Sequence, residues 1–402
     1  MSPAPPIVSE AAPPPPLASA SEQSWDLLVV GAGPAGSAAA CRAATLGLRT
    51  LLVDRAAFPR AKVCGGCLSP LGLAAVDALG LGANVRHASV PLRTLALTAR
   101  GRTSHLPLRG GVAISRESLD TMLLHHAARC GATVLESTLA TLAANVPSHA
   151  VALLRRGGEE TRVRATRVLV ADGLSGSFLP KDDTWVPTIA PRSRIGLGAR
   201  LDDGLARRSL PDGVISMHCA RSGYAGMVRL SDGTIDLAAA IDPDALRLTE
   251  SPAHAVNELL REANADVEPI ALDTGFRGTG LLTRRRRVED RALLVAGDAA
   301  SYVEPFTGEG MSWALTSGIA AAEFVAVGGA SGAWAARCAS LVARRQRGCR
   351  MVSLALRSPR LVGMACRALA FWPSMAPTVQ RALAGPWGRD ARGTWQSSGA
   401  AT

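Results

Sequence analysis

Val29-Val30-Gly31-Ala32-Gly33-Pro34-Ala35-Gly36 is the stretch that decides the fold. An apolar run beginning at Leu27 enters this G-x-G-x-x-G turn, and an alanine-rich segment, Ala35 to Leu46, leaves it with helical character. A second apolar run, Thr50 to Val53, ends in Asp54-Arg55. Strand, glycine turn, helix and strand, closed by an acid roughly 20 residues on, is the pattern of a dinucleotide-binding unit. Gly31 allows the tight turn, Gly33 lets a pyrophosphate approach the backbone, and Gly36 lets helix and strand pack closely. The helix opened by Pro34 and Ala35 offers unpaired N–H groups and a positive dipole end to phosphates. Asp54 is placed to accept ribose hydroxyls.

The 402 residues are enough for two or three domains, and 40 glycines with a 48% apolar fraction suit an α/β protein. Net charge is +11, yet Lys62 and Lys181 are the only lysines, so arginine carries the excess. Most of it lies beyond Arg337, where the single acid is Asp390. Eight cysteines without a framework spacing imply reduced thiols and a cytoplasmic protein. Residues 1–24, rich in Pro, Ala and Ser, are expected to be a disordered leader, because they lack a basic segment followed by an apolar core. No uncharged run reaches the roughly 18 residues of a membrane span.

Further along, Leu71 to Leu79 is helical, and Leu92–Leu97 with Ser104–Leu108 forms a hairpin turned at Arg100-Gly101. Ser115-Arg116 opens a long amphipathic helix to Cys130. Val168-Leu169-Val170-Ala171-Asp172-Gly173 is a strand running into an Asp-Gly turn. Alternating segments from Arg194 to Asp242 predict an antiparallel sheet forming a separate layer. Leu293 to Asp298 is a third strand ending in an acid, and Gly308 to Val327 is mostly helical.

Four blocks therefore stand in order: the glycine turn with Asp54-Arg55, the helix opened by Arg116, Asp172-Gly173, and Gly297-Asp298 followed by Pro305-Phe306-Thr307-Gly308-Glu309-Gly310-Met311. Together they resemble the FAD-dependent oxidoreductases of the para-hydroxybenzoate hydroxylase fold over residues 24–330. Phe58-Pro59-Arg60 with Lys62-Val63-Cys64-Gly65-Gly66 and Leu68-Ser69 resembles the loop of the geranylgeranyl reductase branch. The resemblance implies an α/β fold in which a Rossmann-like three-layer FAD domain (25–88, 109–178 and 282–330) is interleaved with an antiparallel substrate sheet (89–108 and 179–281). A basic helical region, 331–402, follows. It implies that Arg116 and Asp172 position FAD, that Asp298 bonds the ribityl chain, and that backbone amides around Gly308–Met311 face the pyrimidine end of the flavin. Reduced flavin is anionic there, and helix N-termini stabilise anions. The implied reaction is hydride transfer through flavin N5, from NAD(P)H or another donor to an apolar alkene, isoprenoid or polyketide-like substrate. A monooxygenase using O2 through a flavin hydroperoxide shares the same motifs and is the alternative. Prenyl-reducing members carry an aromatic-rich strand along a lipid tunnel, whereas Gly223 to Leu230 holds one aromatic residue, Tyr224. The W-x-W-x-I-P motif of tryptophan-dependent halogenases is absent.

Cys64, beside the flavin by this resemblance, is either a proton-relay thiol or a small packing residue. Cys64 and Cys67 form a C-x-x-C, but no second pair follows to complete a zinc site. Lys62 is either a charge for FAD phosphates or NADPH, or a surface residue. His218 and Tyr224, in the substrate sheet, are candidates to face substrate, and no histidine spacing suggests a metal. Arg284 to Arg287 reads as a solvated edge rather than a nucleic-acid site, which would need exposed aromatics among the charges. Between Leu341 and Trp372, arginines alternate with apolar residues. That pattern fits either a cap on the substrate domain or a peripheral contact with the inner membrane surface.

Overall fold

The computed structural model describes residues 15–108, 110–202, 210–304, 306 and 308–371. The glycine-turn unit folds as its sequence pattern requires. Strand Trp25–Val30 lies between the parallel strands Thr50–Val53 and Glu159–Val170. Leu293–Val295 and Thr133–Leu135 extend this parallel core on either side. Alternation divides the central strand: Leu27 and Val29 face one apolar cluster, Leu28 and Val30 another. Helices Pro34–Thr45, Arg116–Arg129 and Gly310–Ala326 cover the first face. The antiparallel strands Leu139–Val146 and His149–Arg156 continue the sheet on the other side. The fold is the α/β class expected from the sequence.

The helices Pro34–Thr45 and Gly310–Ala326 meet backbone to backbone. A Cβ on Gly318 would lie 2.0 Å from the Ala35 carbonyl oxygen, so glycine is what allows this approach. The contact sets the second helix directly beside the glycine turn.

The second layer is a seven-stranded sheet, ordered Arg277–Leu281, Ile195–Leu201, Ile235–Ile241, Gly223–Arg229, Val214–Cys219, Thr94–Ala99 and Arg102–Pro107. Helix Pro252–Glu262 seals one face through Val256 and Leu259. The last two strands form the expected hairpin, with Arg100 and Gly101 both at positive φ, the turn that matches strand twist.

Two expectations need correction. The end of the leader is packed: Leu17 and Ala20 are buried on the outer face of the parallel sheet, and Ala20 O accepts from Trp25 Nε1 at 2.9 Å. Scattered apolar residues in a Pro/Ala-rich stretch gave no periodicity to reveal this. The second sheet is not antiparallel throughout: Thr94–Ala99 pairs in parallel with Val214–Cys219. Cys41, His126 and Cys130 lie close together, with Cys41 Sγ and Cys130 Sγ 2.9 Å apart. His126 Nε2 lies 2.6 Å from the Leu79 carbonyl. None of the eight cysteines forms a disulfide among the described residues.

The basic region forms helices Ala333–Ala355 and Pro359–Phe371, and residues 372–402 lie outside the described chain. Val362 and Cys366 pack into a cluster with Leu97 and Tyr224 of the seven-stranded sheet, while Leu361 and Met364 stay exposed. Among the described residues, no helix is long and apolar enough to cross a membrane.

Candidate active site

Gly31 sits at φ +101°, and a Cβ on Gly36 would lie 1.7 Å from the Gly31 carbonyl oxygen. The turn therefore closes directly onto the first helical residues. Asp54 ties it down: Oδ2 accepts from the Ala32 N–H at 2.7 Å, and Oδ1 accepts from the Ala56 N–H at 2.9 Å. Its carboxylate braces the turn before it meets any ligand.

Three cations gather over this turn. The Cβ position of Gly33 is 3.6 Å from a guanidinium nitrogen of Arg60 and 3.8 Å from one of Arg116. Lys62 Nζ lies 3.2 Å from the Cβ position of Gly173. Burial, together with Arg116 and Arg60, lowers the Lys62 pKa. Asp120, wholly buried, chelates Arg116 at 2.9 and 2.7 Å and reaches Arg60 at 3.4 Å. Asp120 did not stand out in the sequence, and Arg60 entered only as part of the Phe58–Ser69 loop, with no role of its own. The i,i+4 spacing of Arg116 and Asp120 was the available signal.

Asp172, Gly173 and Asp298 face the same space. Burial raises the pKa of both carboxyls, against the pull of Arg286 and Lys62 on Asp172 and of Arg116, Lys62 and Arg284 on Asp298. Arg284 and Arg286 are thus half-buried beside the acids rather than part of a solvated edge; the exposed members of that run are Arg285 and Arg287. Gly308, Glu309, Gly310 and Met311 enter from the N-terminus of the Gly310–Ala326 helix, and Ser69 donates to the Glu309 carboxylate at 3.1 Å. Pro305 lies outside the described residues.

These groups surround one continuous cavity of about 1290 Å³. That exceeds the roughly 300–1,000 Å³ of a one-ligand pocket. Gly31, Gly33, Pro34, Ala35, Asp54 and Arg55 line it on one side, whereas Gly36 lies behind the turn, where its job is packing. Leu92, Leu95, Leu106, Leu108, Ile215 and Met217 line it from the second sheet and its flanks. Tyr224 also reaches the cavity and stacks edge-on against Phe306, with centroids 5.4 Å apart. The aromatic wall that a single strand failed to show is thus shared between segments distant in sequence.

His218 is a correction. It does not line the cavity but is buried in the Val214–Cys219 strand, facing oppositely to Met217, with its Nε2 2.9 Å from Ser216 Oγ. Burial lowers its pKa to about 4. The unfolded chain, at about 6.5, takes up the proton first, so stability is lost as pH falls from 6.5 towards 4. The loss reaches up to about 3 kcal/mol. Replacing His218 with Gln should flatten that slope in urea titrations at pH 4.5 and 7, while leaving the cavity and its ligands unaffected.

Cys64 and Gly65 line the cavity, and so does Cys67, whose thiol donates to the Gly65 carbonyl at 3.1 Å. Burial pushes both thiols up, so both stay protonated near neutrality. That suits a proton donor or a packing group and does not suit a thiolate nucleophile.

FAD fits the polar half. Buried polar atoms of two residues that line it lack partners among the described residues, namely Arg60 Nε and Asp172 Oδ1. A cationic cluster over a glycine turn matches a pyrophosphate in charge.

The fold and this site define a flavoprotein oxidoreductase. The model of the FAD binding domain matches residues 24–326, and the chain belongs to that family. The menaquinone reductase of Mycobacterium tuberculosis is 29% identical over 390 residues, covering 90% of this chain and 89% of that one. Digeranylgeranylglycerophospholipid reductase 1 of Methanothermobacter thermautotrophicus is 25% identical, covering 78% and 79%. Among solved structures, the flavin-dependent brominase Bmp2 superposes with a TM-score of 0.75 at 20% identity, covering 90% of this chain and 94% of that one. A geranylgeranyl bacteriochlorophyll reductase-like protein from Thermoplasma acidophilum gives 0.69 at 20% identity, covering 90% and 99%. At such identities the structures speak for the fold alone. The protein is an FAD-dependent oxidoreductase of the geranylgeranyl and menaquinone reductase type.

Proposed function

We propose that this enzyme reduces a carbon–carbon double bond in a polyprenyl-bearing lipid, with NAD(P)H or another donor supplying electrons. The observation that carries the reading is the single cavity that joins a phosphate-binding glycine turn to a wall of Leu92, Leu95, Leu106, Leu108, Ile215 and Met217. A polar substrate would leave that wall unused, whereas an isoprenoid chain buries against it at roughly 25 cal/mol per Å². The names of the M. tuberculosis and M. thermautotrophicus relatives support the same substrate class.

FAD, when bound, supplies the two-electron carrier. In this reading, Arg60, Lys62 and Arg116 hold its phosphates, and Asp54 braces the turn beneath them. Asp172 and Asp298 accept hydrogen bonds from its hydroxyl-bearing chain, and Gly308–Met311 present backbone amides to the ring. The seven-stranded sheet orients the apolar substrate, with Tyr224 and Phe306 excluding water. Cys64 holds the proton that a saturated carbon requires. Leu361 and Met364, exposed next to Arg360 and Arg367, give the last helix an edge for contact with an anionic membrane surface.

The test begins with photoreduced, FAD-loaded enzyme under anaerobic conditions. Menaquinone-4 and geranylgeranyl diphosphate are added in turn, and products are weighed by mass spectrometry. Flavin reoxidation with a gain of two hydrogens per double bond is expected. If neither compound reoxidises the flavin, while O2 does so quickly and yields a hydroxylated aromatic product, the enzyme is a monooxygenase instead.

A further inference from the structure

The cavity is lined by residues that bind and shield, but reducing a double bond also consumes a proton, and Cys64 can give up only one before it must be refilled. What lies behind the Cys64–Cys67 loop answers where that proton comes from. Strand Ile235–Ile241 passes beneath the loop, and Ala238, Ala239 and Ala240 line the cavity; Ile235, Leu237, Ala239 and Ile241 pack into the core on the opposite face from Ala238 and Ala240. Asp236 shares the face of Ala238 and Ala240. Gly65 rests on Ala238, its Cβ position 3.7 Å from the alanine methyl. Gly66, at φ +60°, lies so close to Asp236 that a Cβ there would stand 2.7 Å from Oδ2. The carboxyl therefore abuts the backbone between the two thiols.

On its other side Asp236 meets solvent. Its side chain is 13% exposed, and its nearest cation, Arg200, is 4.0 Å away and 32% exposed. Arg200 is drawn instead to Glu117 at 2.9 Å and Asp232 at 3.5 Å. The charged and titratable groups facing Asp236 are Arg200 from the neighbouring strand, Glu117 and Arg116 from the Arg116–Arg129 helix, Asp232 from the turn, and Cys64 and Cys67 from the loop.

We propose that Asp236 is the relay group that carries protons from the solvent-exposed Arg200–Glu117–Asp232 cluster to the Cys64 thiol at the cavity wall. The inference rests on the reductase reading. In each turnover the substrate π bond breaks. One carbon receives the hydride carried by the flavin, with NAD(P)H as the ultimate reductant, and the other receives the Cys64 proton. The resulting thiolate takes the Asp236 proton, and water reprotonates the carboxylate. The directions agree: burial raises Asp236 to about 7 against the pull of Arg200 and Arg116, with Glu117 and Asp232 offsetting part of that pull, while burial raises Cys64 beyond its ordinary thiol range. Transfer from the acid to the thiolate is therefore downhill, and the acid is half-charged near neutral pH.

The test uses Asp236→Asn, which keeps the shape and removes the proton, with Asp236→Glu as the conservative control. In apo-protein, alkylation of Cys64 by iodoacetamide, located by peptide mass mapping, should show an inflection near pH 7 as the neighbouring carboxylate forms. Asp236→Asn should lack it, and Asp236→Glu should keep it. With FAD loaded, flavin content should be unchanged in Asp236→Asn. Menaquinone-4 reduction should fall at least tenfold and lose its pH dependence between 6 and 8, and Asp236→Glu should restore it partly. A wild-type alkylation profile without the inflection overturns the relay, whatever the substrate proves to be. So does an Asp236→Asn enzyme that reduces menaquinone-4 at the wild-type rate and with the wild-type profile. Failure of the wild type on every lipid condemns the reductase reading, and the alkylation profile then decides the Asp236–Cys64 coupling separately.

Discussion

Gly33→Val is expected to purify as a folded, colourless protein, while Gly36→Val is expected not to accumulate in folded form. The two glycines sit three residues apart in one motif, yet the space around them differs. A Cβ on Gly33 would find only the ends of two flexible arginines, at 3.6 and 3.8 Å, and the backbone there has φ −74°, open to any residue. The added side chain enters the cavity at its phosphate end. Stability should change by no more than about 1 kcal/mol, and FAD affinity, read by fluorescence quenching, should fall at least a hundredfold. A Cβ on Gly36 would overlap the Gly31 carbonyl at 1.7 Å, against backbone that cannot swing aside. The turn would have to open, at a cost above the usual ~1–3 kcal/mol of overpacking. Gly33→Val recovered yellow, with full flavin, would show that the glycine turn is not the cofactor's seat.

What could be read in advance divides along the same physical line. The glycine turn, Asp54, Asp172 and Asp298 were legible because each sits at a strand end, where a local pattern of a few residues fixes its position. Arg116 was legible as the start of a helix. Asp120, buried at the centre of the charge cluster, looked like any acid on an amphipathic helix, since nothing local says that Arg60 approaches it from 60 residues upstream. The aromatic wall was missed for a similar reason. Tyr224 and Phe306 are brought together by packing of the second sheet against the segment before the Gly310–Ala326 helix, so a search within one strand found half of it. His218 erred in the opposite direction. It belongs to the right sheet, but alternation puts it on the wrong face, and the phase of a strand is fixed only once its partners are known. Asp236 has the phase that His218 lacks, and its importance depends on a loop more than 150 residues away in sequence.

Asp120→Ala should destabilise the apo-protein by about 3–5 kcal/mol, the range for removing one partner of a buried ion pair. Asp120 is wholly buried, and its two oxygens chelate Arg116 Nε and Nη2 at 2.9 and 2.7 Å, the strong bidentate geometry. Its Oδ2 also faces Arg60 at 3.4 Å, and Arg60 continues to Asp54 at 3.8 Å. Without Asp120, two guanidiniums whose side chains are 9% and 15% exposed lose their shared partner: Arg60 keeps Asp54 at 3.8 Å, which the glycine turn already occupies, and Arg116 keeps the through-space pull of Asp298. Lys62, itself depressed by both arginines, adds to the repulsion. Both cations should swing away from Gly33, and FAD affinity should fall at least tenfold along with stability. Asp120→Asn keeps the shape without the charge and should fall between. A double change, Arg116→Met with Asp120→Leu, removes both charges of the chelate and should recover much of the stability without recovering flavin binding. That split separates the two roles of the pair, because denaturant midpoints report the buried charge and flavin titration reports the phosphate seat. If Asp120→Ala unfolds within about 0.5 kcal/mol of wild type and binds FAD normally, the charge line from Asp54 to Arg116 does not organise this site.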